Sequence, residues 1–113
     1  MSNASAAARD GNCQTNEFCY YWGSGQTGSL SDFTASVADY GKTQPTCYDY
    51  KGAGAGKGTC IKNNAASVEN NSSRVVRVFF NTGQVGVYQD IPAHSKRELN
   101  GSLIANNASH KFL

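Results

Sequence analysis

Apolar and aromatic residues in this chain come in short clusters, and Gly, Asn and Ser separate them. Phe18 to Trp22 is aromatic-rich and stops at Gly23-Ser24-Gly25, which predicts a strand running into a turn, with Ser29 to Phe33 returning. Ser31 to Gly41 begins with Ser-Asp and ends in Gly, consistent with a short helical turn or a loop. From Thr46 to Lys51, Cys47, Asp49 and Lys51 alternate with Tyr48 and Tyr50, the pattern of a half-buried strand. Gly52 to Thr59, "GAGAGKGT", reads as a flexible hairpin tip. Arg74 to Phe80 is dense in Val and Phe and is the strongest strand signal. Gln84 to Ile91 alternates after the turn signal Asn81-Thr82-Gly83. Leu103 to Ala105 and Lys111 to Leu113 predict short late strands. No run of about ten residues has a helical period, so the chain reads as all-β.

The pattern is also doubled. Tyr21, Gly25, Gln26 and Gly28 return as Phe79, Gly83, Gln84 and Gly86, at a constant shift of 58 residues. "NNAAS", Asn63 to Ser67, returns as "NNASH", Asn106 to His110, which sets Ser67 against His110. Gly28 to Asn63 spans 35 residues and Gly86 to Asn106 only 20, so the first copy carries an insertion holding the glycine-rich segment. The expected layout is one domain over 11–113, with a first motif over 11–72 and a second over 73–113. Residues 1–10 fall outside it. Ser2-Asn3-Ala4 reads as a vector-derived start, and Ala4 to Ala8 resembles the small-residue end of a secretory signal.

Composition narrows the function. Hydrophobic residues are 39% of the 113 and charged residues 16%, with a net charge of +2. The basic residues are scattered, which argues against nucleic-acid binding. No apolar run approaches the roughly 20 residues of a membrane helix. Gly56-Lys57 lacks the spacing of a phosphate loop, and no HExxH or GxSxG motif occurs, so an enzyme is not expected. Cys13, Cys19, Cys47 and Cys60 fit no zinc spacing, and His94 and His110 lie far from them. An even cysteine count in a short chain points to disulfides and export. Three pairings are possible. The nearest-neighbour one, Cys13–Cys19 with Cys47–Cys60, is preferred and would add about 2.4 and 3 kcal/mol by loop entropy.

The order of these motifs resembles the double Greek key sandwich of the βγ-crystallins. Their hairpin signature is aromatic, four residues, aromatic, any residue, Gly. Gln26 and Gln84 replace the second aromatic in both copies. The stretch "CQTNEFCYY", Cys13 to Tyr21, resembles the secreted metalloproteinase inhibitors of the streptomycete type, which share that fold. The supporting residues are Cys13, Phe18, Cys19, Tyr21, Gly28, Tyr40-Gly41, Asn63-Asn64, Ser67, Asn70 and Gly86. This resemblance implies a secreted inhibitor of an extracellular, thermolysin-like metallopeptidase; no cofactor is expected, and among oligomeric states, which the residues leave open, a monomer is favoured.

Such an inhibitor presents a rigid loop to the cleft, since a floppy one loses entropy on binding. Thermolysin-like enzymes favour a bulky apolar residue after the cut, and Cys60–Ile61 and Cys47–Tyr48 both offer one. Cys60–Ile61 is the preferred bond, within the candidate loop Lys57, Gly58, Thr59, Cys60, Ile61 and Lys62. The resemblance also raises calcium: Asn63, Asn64, Ser67, Asn106 and Asn107 occupy the crystallin calcium motif, but they carry no carboxylate, so at most weak binding is expected. A non-inhibitory module binding another secreted protein or the cell envelope through Trp22, Tyr48 and Tyr50 is the alternative, as is a toxin-like protein of the same fold.

Overall fold

The computed structural model describes residues 9–113. Among the described residues there are seven strands: β1 Phe18–Gly23, β2 Thr27–Phe33, β3 Ser67–Asn70, β4 Val76–Asn81, β5 Val85–Ile91, β6 Ser95–Glu98 and β7 Ser109–Phe112. They form two antiparallel sheets, ordered β2-β1-β3-β6 and β5-β4-β7. The two halves exchange backbone. β6, from the second half, pairs with β3 of the first. In return Val37, from the first half, bridges to His110 on β7. Phe18, Tyr20, Val68, Val76, Val78, Ile91 and Phe112 meet between the sheets, with Phe33, Tyr40, Tyr50 and Ile61 extending the core under the long β2–β3 connection. Both disulfides are formed, Cys13–Cys19 and Cys47–Cys60.

The duplicated sequence becomes a duplicated device. Each hairpin folds back onto the last strand of its motif, β3 or β7. The backbone N–H of Gln26 donates to Ser67 Oγ at 2.9 Å, and that hydroxyl donates to the Gly23 carbonyl at 2.6 Å. In the second copy Gln84 N–H donates to Ser109 Oγ at 3.0 Å, and Ser109 donates to the Asn81 carbonyl at 2.6 Å. The glutamine side chains complete the clamp, each donating at 3.0 Å to a carbonyl of that last strand, Val68 or His110. Gln stands at the signature's second aromatic position because its amide reaches a strand carbonyl. Gly28 and Gly86 follow with φ of +77° and +90°, and a Cβ on Gly86 would lie 2.2 Å from Asn81 Nδ2.

This geometry corrects the sequence pairing of the second element. Ser67 faces Tyr21, and Ser109 faces Phe79. The counterpart of Ser67 is therefore Ser109, not His110, and the second copy is one residue shorter. Both serines are buried. Ser109→Ala leaves the Gln84 N–H without its acceptor and should cost about 1–3 kcal/mol. Urea unfolding of the variant checks this.

Other expectations shift locally. Thr46 to Lys51 is not a strand but holds a single bridge, Asp49 to Cys60. Leu103 to Ala105 is a turn, in which Leu103 and Ile104 donate to the Asn100 carbonyl. β3 and β6 went unread because "SVEN" and "SKRE" carry almost no apolar signal. β6 is an edge strand, where charge is favoured.

Candidate functional site: a braced loop between β2 and β3

The insertion of the first motif lies between β2 and β3 and is tied at several points. Around the Cys47–Cys60 bridge the two limbs exchange bonds: Ile61 N–H to Tyr48 carbonyl at 2.9 Å, Tyr50 N–H to Thr59 carbonyl at 3.0 Å, and Gly58 N–H to Tyr50 carbonyl at 2.9 Å. Gln44 Nε2 crosses from one side, donating to the Gly58 carbonyl at 2.6 Å and to Asp49 Oδ2 at 3.0 Å. Lys51 Nζ lies 2.8 Å from Asp49 Oδ1. Partial burial raises the Asp49 carboxyl, but the Lys51 and Gln44 donors outweigh it and hold the group below its ordinary range.

The glycine-rich segment is not the flexible tip its composition suggests. Ser29 N–H donates to the Ala55 carbonyl at 2.8 Å, and the N–H groups of Lys51 and Gly52 both reach the Leu30 carbonyl, at 2.9 and 3.1 Å. Gly56 lies flat against Trp22. A Cβ there would come within 2.4–2.6 Å of the indole ring, and its φ is +89°. The missing side chains that make the sequence look loose let backbone pack directly on β2 and on Trp22. Local conformational freedom is overridden by tertiary contact.

The candidate residues are not equally presented. Lys57 and Gly58 are exposed, and Thr59 and Cys60 are half-buried. Lys62 turns aside and donates to Thr82 Oγ1 at 2.9 Å. Ile61 is 0% exposed and belongs to the core. To reach a peptidase pocket from the preferred Cys60–Ile61 bond, Ile61 would have to leave the core. Tyr48 is 37% exposed and follows Cys47 directly. Its ring lies 5.5 Å from Phe33 and borders a groove of about 190 Å³ that also touches Arg9 and the 34–37 segment.

Arg9, placed outside the domain by sequence, is docked on it. Its guanidinium lies 4.3 Å from the Phe33 ring centre and 5.1 Å from that of Tyr48. It donates to the carbonyls of Asp32 and Asp49 at 3.0 and 2.9 Å and to Ser31 Oγ. No spacing rule on one sequence could find a single docked arginine. The other residues expected outside the domain, save Asp10, are residues 1–8, which lie outside the described residues.

The asparagine candidates serve the backbone. Asn64 Nδ2 donates to the Cys60 carbonyl at 2.9 Å. Asn107 accepts from Ala65 N–H at 3.1 Å and donates to the Ile61 carbonyl at 3.0 Å, fastening the loop base to the second motif. Asn106 reaches the Ser102 carbonyl at 3.4 Å, and Asn63 takes a left-handed φ of 62°. Tyr50 is buried, and Trp22 carries the glycine segment.

The insertion is thus a stapled loop on a small β scaffold, with Tyr48 at the surface beside the staple. The sequence model of peptidase inhibitor family I36 matches residues 6–91, across both disulfides and both hairpins. The chain belongs to peptidase inhibitor family I36. Its role is that of a peptidase inhibitor, not an enzyme, and its partner is a protease. No curated protein matches the chain. Among solved structures, a βγ-crystallin domain described in connection with the evolution of the eye-lens fold superposes with a TM-score of 0.65 at 12% identity, over 99% of this chain and 93% of that one. The N-terminal domain of protein S gives 0.59 at 18% identity, over 86% and 94%. These likenesses show the fold of the family I36 chain alone: a βγ-crystallin-like sandwich with two disulfides.

Proposed function

We propose that this family I36 protein is exported and blocks an extracellular metallopeptidase of the thermolysin-like class, offering Tyr48 to the pocket that receives the residue after the cut. One observation carries the choice of residue. Of the three bonds in which a bulky apolar residue follows a cysteine, Cys19–Tyr20, Cys47–Tyr48 and Cys60–Ile61, only Cys47–Tyr48 has that residue at the surface. The staple, the Gln44 cross-tie and the docked glycine segment pre-order the loop, so little entropy is lost on binding. Both disulfides agree with an oxidising compartment.

The test is a titration against thermolysin-like, serine, cysteine and aspartic peptidases at nanomolar enzyme. Inhibition of the metallopeptidase is expected. Inhibition confined to another class sinks the assignment. Tyr48→Ala should weaken inhibition about 30-fold, the size of a single aromatic anchor, with only a small fall in melting temperature from the lost Phe33 and Arg9 contacts. A second reading, a non-inhibitory module binding another secreted protein, has its own observation. Phe80, Val85, Val87 and Tyr88 are exposed apolar side chains on β4 and β5 of the second sheet. Absence of inhibition in every class would favour it.

A further inference from the structure

We propose that Asp10, Glu17 and Asp32 form a site for a hard divalent cation, calcium in an extracellular setting. The three come from separate stretches: Asp10 from the N-terminal segment, Glu17 from the turn before β1, and Asp32 from β2. One carboxylate oxygen of each lies within 4.8 Å of the others. Calcium at 2.3–2.6 Å from its ligands holds oxygens no farther apart than about 5 Å, so each pair of these oxygens lies within the span of one ion.

Acidic clusters are common, and proximity alone would mean little. Glu17 supplies the independent observation. Its side chain is 0% exposed, as is that of Asp32. Glu17 Oε1 accepts the Gln14 N–H at 2.8 Å, but Oε2 is buried with no hydrogen-bond partner among the described residues. A buried carboxylate oxygen without a donor is costly, and a second buried carboxylate beside it raises the cost. A positive charge among these oxygens removes both penalties. Arg9 does not supply it to Glu17. Its guanidinium points to Ser31 Oγ and to the carbonyls of Asp32 and Asp49.

The remaining contacts leave room. Asp32 accepts Gly11 N–H on Oδ1 at 2.8 Å and Asp10 N–H on Oδ2 at 2.9 Å, one donor per oxygen. Asp10 Oδ1 accepts Asn12 N–H at 3.0 Å. A carboxylate offers about four lone-pair sites, so each group retains capacity. The donors are all oxygen and the nearby cysteines are oxidised, which selects a hard ion over zinc or copper. Asp10 is exposed and gives the ion and its waters access. Three carboxylates completed by water suit the roughly 10⁻⁴–10⁻³ M range of extracellular calcium modules. This site is unrelated to the asparagine motifs. It would fasten the Cys13–Cys19 turn and the segment bearing Arg9 to β2.

The experiment uses the full chain, stripped with EDTA and then titrated with calcium chloride, and is read by melting temperature and by calorimetric binding. Calcium at 10 mM should raise the melting temperature by about 5–10 °C. Asp10→Asn and Glu17→Gln should each weaken binding at least tenfold and remove most of the rise. Asp10→Asn changes an exposed side chain, so it decides the matter even if Glu17→Gln folds poorly. No rise in the parent, or a rise unchanged in Asp10→Asn, overturns the proposal. The second result would place calcium elsewhere, and the first would leave a proton between the carboxyls.

Discussion

Ile61→Ala is expected to destabilise the protein by about 3–4 kcal/mol and to leave the affinity of the folded fraction for its peptidase unchanged. Ile61 has no exposed surface and packs in the core beneath the β2–β3 connection. Removing its outer carbons leaves a cavity that the disulfide beside it keeps from collapsing. At about 4 °C per kcal/mol for a domain this size, the melting temperature should fall by roughly 10–20 °C. Tyr48→Ala should do the reverse, losing affinity and only a little stability. Thermal unfolding and active-site titration on the same two preparations separate them. Ile61 is the contact residue if its loss abolishes inhibition at temperatures where the variant remains folded.

The second large effect is a pH dependence centred on His110. The ring is buried between the sheets, against Phe18, Tyr20, Phe33 and Phe112. Nε2 lies 2.9 Å from the Ala35 carbonyl, which can only accept, so Nε2 carries the proton. Nδ1 must then accept from the Tyr40 hydroxyl at 2.7 Å, and Tyr40 accepts in turn from Tyr20. This chain joins β1, the connecting loop and β7, and it requires a neutral imidazole. Burial pushes the His110 pKa down from 6.5 to about 4. The Ala35 bond opposes the shift and the charge of Arg9 adds to it.

The unfolded chain therefore binds a proton near pH 6.5 that the folded chain refuses until about pH 4. The stability from this group is complete above pH 6.5 and is lost as pH falls toward 4, by about 3 kcal/mol in all. Glu17 runs the other way. Burial raises it from 4.5 to about 7, so its contribution is complete below pH 4.5 and declines as pH rises to 7. The two flatten the parent's own curve in metal-free buffer, so the difference between parent and His110→Gln is the quantity to measure. Urea midpoints at pH 7 and pH 4 should show the parent's advantage shrinking by about 3 kcal/mol at the lower pH. An advantage equal at both values removes the neutral-imidazole account.

Much of the fold was legible before any coordinates, because its signals are local. β1, β2, β4 and β5 announce themselves by aromatic and Val density and by glycine turns. The repeated Gly, Gln and Gly announce the doubled hairpin. The nearest-neighbour cysteine pairing needed only short loops. What failed was non-local. β6 is a charged edge whose reason for being a strand is β3. The match of Ser67 to Ser109 follows strand register, which a gap of one residue hides from a motif comparison.

Sequence by itself determined the duplication, the all-β class and the stapled insertion, since each rests on residues close in the chain whose backbone preferences or covalent chemistry act locally. Tertiary structure alone decided that Ile61 is core and Tyr48 is surface, that Arg9 belongs to the domain, and that three carboxylates from separate segments converge. Burial and juxtaposition depend on which parts of the chain pack together, and no residue carries that information in its own neighbourhood. The glycine segment shows the difference most directly: free by composition, it is held because its bare backbone lies against β2 and Trp22.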